Sequence, residues 1–359
     1  MTNYALIIAI NDYPASSEQD DLKGAVADGA DFAEWVLDPN GGGVADENLL
    51  YWIYGDPHNP GPMLSNALTA APPWPIYPPP DFSKPPDDKS IIDAAEALAN
   101  RARSDGEASR IFLFFAGHGV QWVPKTYDRD AQTCFIAGNF QPGRSRGQVP
   151  LGDLLRLMER IGPAETIIFQ DCCRSDLPLN ADRPTLDFNP IMDQKINEQW
   201  VLGNAVRDGR VALEVPFDAP DRGAYSKVLV QALRQFRPGG ILRASELRNF
   251  VDMGVQKAVD PKKQPTDLKM RYEGDDCVIS SGPAIGSLPE IAIELLDTSV
   301  SGSLQLLSDE EGVVAEFTDL GAEMRTSAPV GIYILVNPES GRSVPIFHIG
   351  PEETYVQFS

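Results

Sequence analysis

Two short stretches carry the residue types that do chemistry. "FAGHGVQ" (Phe115–Gln121) presents His118 between two glycines, and "FQDCCRS" (Phe169–Ser175) presents Asp171, Cys172, Cys173 and Arg174. The 359 residues hold only three histidines and four cysteines, so two such stretches are conspicuous. A thiol of ordinary pKa, about 8.5, is mostly protonated at neutral pH. An imidazole beside it can take that proton and later hand one to a leaving amine. The oxyanion formed between those steps needs donors aimed at it. The backbone N–H of Gly119, with no side chain in the way, and that of Cys173 are expected to supply them. The chemistry implied is acyl transfer through a cysteine nucleophile.

Each stretch ends a run that reads as a buried strand. Tyr4–Ile10, Ile111–Ala116 and Thr166–Gln170 are continuously apolar, as a parallel sheet covered on both faces requires. Helix-period segments lie between them: Asp20–Leu37; Ser90–Arg103, with Ser90 as N-cap; and Pro150–Ile161, stopped by Gly162-Pro163. Leu49–Tyr54 is a further short strand. Strands at Val201–Val206 and Arg210–Val215, helices at Tyr225–Phe236 and Ala244–Val259, and a closing strand near Gln264–Met270 continue the alternation. The expected fold is a three-layer α/β/α sandwich with a mostly parallel sheet, and ligands in such sheets sit at the carboxyl ends of the strands. His118 and Cys173 are expected at that edge.

Two segments interrupt the pattern. Residues 55–88 are too proline-rich for a helix or central strand and read as a surface insertion. Residues 176–199, after the second cysteine, read as an irregular polar linker. Beyond about residue 284 the texture becomes short alternating runs at roughly ten-residue spacing, expected as a small β-sandwich-like domain over 285–359. The remainder, 1–284, is expected as one domain. Cys134, Cys172 and Cys277 read as core residues, and His348 as a packed or surface residue of a strand.

The formal net charge is −22. That argues against nucleic acid and anionic membranes as partners. No apolar stretch approaches about 18 residues, so no transmembrane helix is expected. The N-terminus lacks the basic region of a signal peptide, and four cysteines in this length make no disulfide scaffold, so a cytoplasmic protein is expected. No C-x-x-C spacing and no phosphate-binding glycine loop occur, which disfavours zinc, thioredoxin-like and nucleotide chemistries.

The chain resembles the caspase/metacaspase family of cysteine peptidases, in a compact bacterial form, over about residues 1–280. The resemblance rests on "YALIIAINDYP" (Tyr4–Pro14), "LKGAVADGADF" (Leu22–Phe32), "FFAGHGVQ" (Phe114–Gln121) and "DCCRS" (Asp171–Ser175), with weaker support from "GAYSKVLVQAL" (Gly223–Leu233) and "QPTDLK" (Gln264–Lys269). The 55 residues between His118 and Cys173 belong to the resemblance too, since a histidine about 50 residues upstream of the cysteine is that family's own signature. It implies a dyad of His118 as base and Cys173 as nucleophile. Metacaspases usually continue Asp-x-Cys-His-Ser-Gly, whereas Arg174 and Asp176 stand here for the His and the Gly. Metacaspases cut after arginine or lysine through acidic pocket residues, which align with Asp28 and Asp171; a pocket serine becomes Ala116. Asp28 also reads as a solvated helix carboxylate. Arg183 and Lys195 are candidate self-cleavage sites in the linker.

The resemblance thus implies a cysteine endopeptidase acting on a protein substrate, with a basic residue before the cut bond, in a regulated proteolytic or defence pathway. The alternative is a catalytically silent caspase-like scaffold that binds a partner through residues 285–359. The resemblance leaves calcium activation open, since many metacaspases need it, but no EF-hand spacing occurs, and a chain without metal or cofactor is the favoured expectation.

Overall fold

A computed structural model describes residues 1–13, 22–55, 84–104, 109–122, 132–141, 146–176, 199–207, 209–215, 222–259, 264–272, 276–286, 288–297, 300–308, 312–348 and 354–358. Nearly all of the proline-rich segment and of the 176–199 linker, including Arg183 and Lys195, lies outside these residues.

In chain order the first elements are β1 (Thr2–Ile10), α1 (Ala25–Leu37), β2 (Leu49–Tyr54), α2 (Asp88–Ser104), β3 (Ser109–Ala116), β4 (Gly119–Trp122), β5 (Gln132–Ile136), β6 (Gln148–Pro150), α3 (Leu151–Ile161) and β7 (Glu165–Asp171). There follow β8 (Ser175–Asp176), β9 (Trp200–Asn204), β10 (Glu214–Val215), β11 (Arg222–Gly223), α4 (Ala224–Gln235), β12 (Ile241–Arg243), α5 (Ala244–Ala258), β13 (Asp267–Arg271) and β14 (Val278–Ser281). The main sheet has the order β2-β1-β3-β7-β9-β13 and is parallel except for the antiparallel edge strand β13. The continuous apolar runs are explained by cover on both faces. Tyr4, Leu6 and Ile8 of β1 share a buried cluster with Leu113 and Phe115 of β3, with α2 (Ile91, Leu98) and with α3 (Leu154, Met158). On the other face Phe32 of α1 stacks on Phe114 with ring centroids 4.4 Å apart, and Trp35 meets Phe112 edge-on at 5.4 Å. The chain therefore has the expected α/β/α layers around a mostly parallel sheet.

Three local expectations change. Helix α1, expected from Asp20, begins at Ala25 behind Gly24. Helix α2 begins at Asp88, two residues before the expected cap at Ser90: the Asp87 side chain accepts from the Ser90 N–H at 2.7 Å and is the cap. The strand expected over Arg210–Val215 is reduced to Glu214–Val215. Residues 210–213 hydrogen-bond to scattered partners instead, Arg210 O accepting from Arg174 N at 2.8 Å and Leu213 N donating to Gln264 Oε1 at 2.9 Å.

The chain separates into two compact units, Met1–Lys227 with Val255–Cys277, and Val228–Gly254 with Val278–Ser359. Compactness thus groups 228–254 and 278–284 with the C-terminal strands, whereas the boundary expected at 284/285 follows chain order. In the second unit, β15 (Glu290–Leu295), β16 (Leu304–Ser308), β17 (Gly312–Phe317), β18 (Glu323–Ser327), β19 (Gly331–Val336), β20 (Ser343–His348) and β21 (Thr354–Phe358) form two sheets, β18-β15-β21 and β17-β16-β19-β20. Their inward residues, among them Ile293, Leu306, Leu335 and Phe358, share one core, the sandwich expected from alternation. All pairings are antiparallel except β15 with β21. Strand β18 escaped the sequence reading because only Met324 of its five residues is buried.

Candidate active site

The site lies in a break between two sheets. In the main sheet β3 and β7 pair as far as Ala116 opposite Asp171. A smaller sheet, β6-β5-β4-β8, then takes up both chains, with Val120 opposite Ser175. His118 and Cys173 each stand two residues beyond the last pair of the main sheet, so parallel register brings them to the same level. Both are half-buried and line one narrow cleft of about 40 Å³. The Gly117 N–H donates to Asp171 O at 3.1 Å, and His118 O accepts from Ile136 N at 2.9 Å, which fixes the backbone on either side of the imidazole.

The two glycines are needed for different reasons. Gly117 has φ +154°, and a Cβ there would meet the Tyr13 hydroxyl and the Phe135 ring. At Gly119 the constraint is proximity: a Cβ would collide with Cys172 Sγ and stand 2.5 Å from Cys173 O. The cysteine stretch therefore runs directly against the start of β4.

Tyr13 completes this half of the site. Its hydroxyl oxygen accepts from the His118 N–H at 2.8 Å, and its ring packs against the imidazole with centroids 4.7 Å apart. Burial pushes its phenol well up, so it stays protonated. Tyr13 lies within "YALIIAINDYP" and carries no role in the sequence pattern; a tyrosine just past the carboxyl end of a central strand is the available signal.

Cys173 points its thiol at Ala212 O, 3.7 Å away. Burial raises its pKa, and the negative charges of Asp171 and Glu214 add to that, against the Ala212 contact. A base is therefore required to make the thiolate near neutral pH. Cys172 faces the other way, 1 % exposed and 3.6 Å from Gln170 Oε1, as a core residue should. Arg174 also turns inward: its Nη1 donates to Val206 O and Asp267 Oδ2, which makes it a brace between strand ends.

The two expected pocket acids do converge. Asp28, on α1, and Asp171, ending β7, line the same cleft and are buried, and between them lies Gly223. The Asp28 carboxylate accepts from Arg222 Nε at 2.7 Å and from Gly223 N at 2.9 Å, while Asp171 Oδ2 accepts from Ser226 N at 2.9 Å. Arg222 also reaches Asp31 and donates to Ala27 O. Burial pushes the Asp28 carboxyl well up and Arg222 pulls it back. Burial likewise pushes Asp171 up to about 6, against its bonds to Ser226. Glu214 accepts from the Lys23 and Gly24 N–H groups at the start of α1. Helix α1 has no side-chain cap of its own there, so a carboxylate 190 residues away serves its positive end. Arg222, Gly223, Ser226 and Glu214 were not foreseen, because their partners are so distant in sequence.

Of the other residues singled out, Cys134 and Cys277 are buried, and His348 is buried between Thr354 Oγ1 at 2.7 Å and Ala328 O at 3.2 Å. Among the described residues no group of three or more His, Cys, Asp or Glu is placed to hold a metal, and no helix is long and apolar enough to cross a membrane.

Neighbouring ends of the parallel strands thus bring a histidine and a cysteine to one cleft of an α/β protein. The model of the Caspase domain, of the peptidase C14 family, matches residues 2–272, and the chain belongs to that family of cysteine peptidases. The chain is 24 % identical, over 349 residues, to a protein described as a probable protease of a Desulfuromonadales bacterium. The match takes in 92 % of this chain and 39 % of the relative, so the chain spans about two fifths of that protein's length. Among solved structures, a Geobacter sulfurreducens protein superposes at TM-score 0.48 and 14 % identity, over 80 % of this chain and 100 % of that one. Caspase-1 of Spodoptera frugiperda superposes at 0.46 and 9 %, over 78 % and 90 %.

Proposed function

We propose that the chain is an endopeptidase in which Cys173 is the nucleophile and His118 the general base and acid, cutting protein substrates after arginine or lysine. The observation that carries this is the register Ala116 opposite Asp171, which sets His118 and Cys173 level on one cleft. His118 takes the Sγ proton and the thiolate attacks the scissile carbonyl carbon. The oxyanion is received by the N–H groups of Gly119 and Cys173. Collapse breaks the C–N bond, the imidazolium gives its proton to the departing amine, and a thioester remains. Water, deprotonated by His118, hydrolyses it and restores the thiol. Asp28 and Asp171 are the acids that receive the substrate's basic side chain through charge-assisted hydrogen bonds. Arg183 or Lys195 would be cut in self-processing, and residues 285–359 would serve a regulatory partner.

Purified full-length protein should release fluorophore from arginyl or lysyl peptides, and Cys173→Ala should lower kcat/KM by at least about a thousandfold. Equal turnover by the variant, correctly folded, refutes the assignment. The narrowness of the cleft favours a second reading, the silent scaffold. Failure of a small thiol probe to label Cys173 in the folded protein, with no peptide cut, would decide for it.

A further inference from the structure

The acid pocket is largely taken up by the protein's own groups. The cleft's about 40 Å³ is space for a few water molecules, short of a guanidinium on its stem. Gly223 fills the interval between the carboxylates: a Cβ on it would run into Asp171 Oδ2 and stand 2.8 Å from Asp28 Oδ2. Of the two acids, Asp28 is already satisfied on both oxygens. Asp28 has a guanidinium on one oxygen and a backbone N–H on the other, and Arg222, only 8 % exposed, is shared with Asp31. Close by, Ala212 O faces the Cys173 thiol, and Glu214, from the same segment, is tied to the start of α1. The strand pair of Glu214–Val215 with Arg222–Gly223 joins these contacts, since Glu214 lies opposite Gly223 and Val215 opposite Arg222.

We propose that Arg222 is an internal stand-in for the substrate's basic residue, so that its guanidinium latches the acid pocket shut and a substrate must displace it. This rests on the reading of Asp28 and Asp171 as the basic-residue pocket. The chemistry is an exchange of one cation for another on the same carboxylate. Leaving Asp28 buried with no cation would be costly, so the pocket is occupied by Arg222 until a substrate competes. The exchange also explains why the partner is an arginine. A guanidinium spans Asp28, Asp31 and Ala27 O at once, which an ammonium cannot do. Apparent affinity for a basic ligand is then the intrinsic affinity reduced by the fraction of molecules with the latch open.

The test uses benzamidine, an amidinium that needs neither a peptide chain nor a working nucleophile, titrated by calorimetry into the full chain at pH 7.5. Arg222→Gln should bind it at least about tenfold tighter than wild type, as expected if the latch is open in a tenth of molecules or fewer. Adding Asp28→Asn to that variant should abolish the binding. Equal affinity of wild type and Arg222→Gln, or tight binding that survives Asp28→Asn, overturns the proposal. If Arg222→Gln does not fold, Arg222→Lys replaces it. It keeps the charge but lacks the fork, so it should bind benzamidine more tightly than wild type, and no gain at all is again refutation. Peptide cleavage is scored separately: a protein that gains benzamidine binding but cuts nothing has a latch and disproves the peptidase assignment alone.

Discussion

The two sides of the cleft are held in opposite ways. On the side proposed to hold the nucleophile, His118 and Cys173 are half-buried, and position comes from backbone: parallel register, a glycine on each side of the histidine, and the Tyr13 hydroxyl under the His118 N–H. On the acid side, Asp28 and Asp171 are buried, and position comes from side-chain charge met by the protein's own donors, Arg222, Gly223 and Ser226. The difference follows from what each group costs when idle. A neutral thiol and an imidazole can face a cleft at little expense, but a buried carboxylate must be paired or protonated. On the proposed reading, such a site keeps its reacting groups ready while its binding groups are engaged internally.

The sharpest way to break this contrast is to crowd the acid side. Gly223→Ala places a methyl group against the Asp171 carboxylate and 2.8 Å from that of Asp28. Overpacking beside two buried carboxylates should cost about 1–3 kcal/mol, read as a fall in Tm of roughly 2–6 °C. Gly162→Ala makes a fair control, because no atom lies within 4 Å of its would-be Cβ, so only backbone strain at φ +93° remains. A Gly223→Ala melt no lower than the Gly162→Ala melt would show that the ribbon is not packed between the acids.

Asp171 sharpens the contrast through pH. Its carboxyl is pushed up to about 6 from the ordinary 3.8, chiefly by burial. The folded state therefore holds a proton more tightly than the unfolded chain. The stability this group contributes is complete below about pH 4 and is lost as pH rises through about 6, on the order of 3 kcal/mol in all. Asp171→Asn should remove that dependence, so the difference in unfolding free energy between wild type and variant should shrink or change sign between pH 4 and pH 7. Parallel curves for the two proteins would mean that Asp171 titrates as an exposed carboxyl does.

Sequence alone carried the nucleophile side further than the acid side, for a physical reason. Strands β1, β3 and β7 are buried on both faces, so their runs are legible without knowing their neighbours, and His118 and Cys173 follow from where those runs stop. Asp28 and Asp171 were legible as candidates through the family resemblance. Their engagement was not, because Arg222 lies 194 residues from Asp28, and Ser226 lies 55 from Asp171. The same limit explains why 210–213 reads as strand: its apolar residues fit a sheet, yet the segment meets the Cys173 thiol at Ala212 O and bonds to Arg174 and Gln264.

Tyr13 offers the gentlest test, and it acts on the nucleophile side alone. Tyr13→Phe keeps the ring that packs on the imidazole and removes only the oxygen that accepts from the His118 N–H. That N–H then loses its acceptor in a place the phenol filled, at a cost of about 1–2 kcal/mol. If the hydroxyl sets the height of His118 above the cleft, kcat should fall by roughly three- to tenfold while KM stays within about twofold, since the acid pocket is untouched. A purely structural role predicts the loss in Tm with kcat unchanged. A rise in KM without a fall in kcat would instead tie Tyr13 to substrate binding and erase the division between the two sides of the cleft.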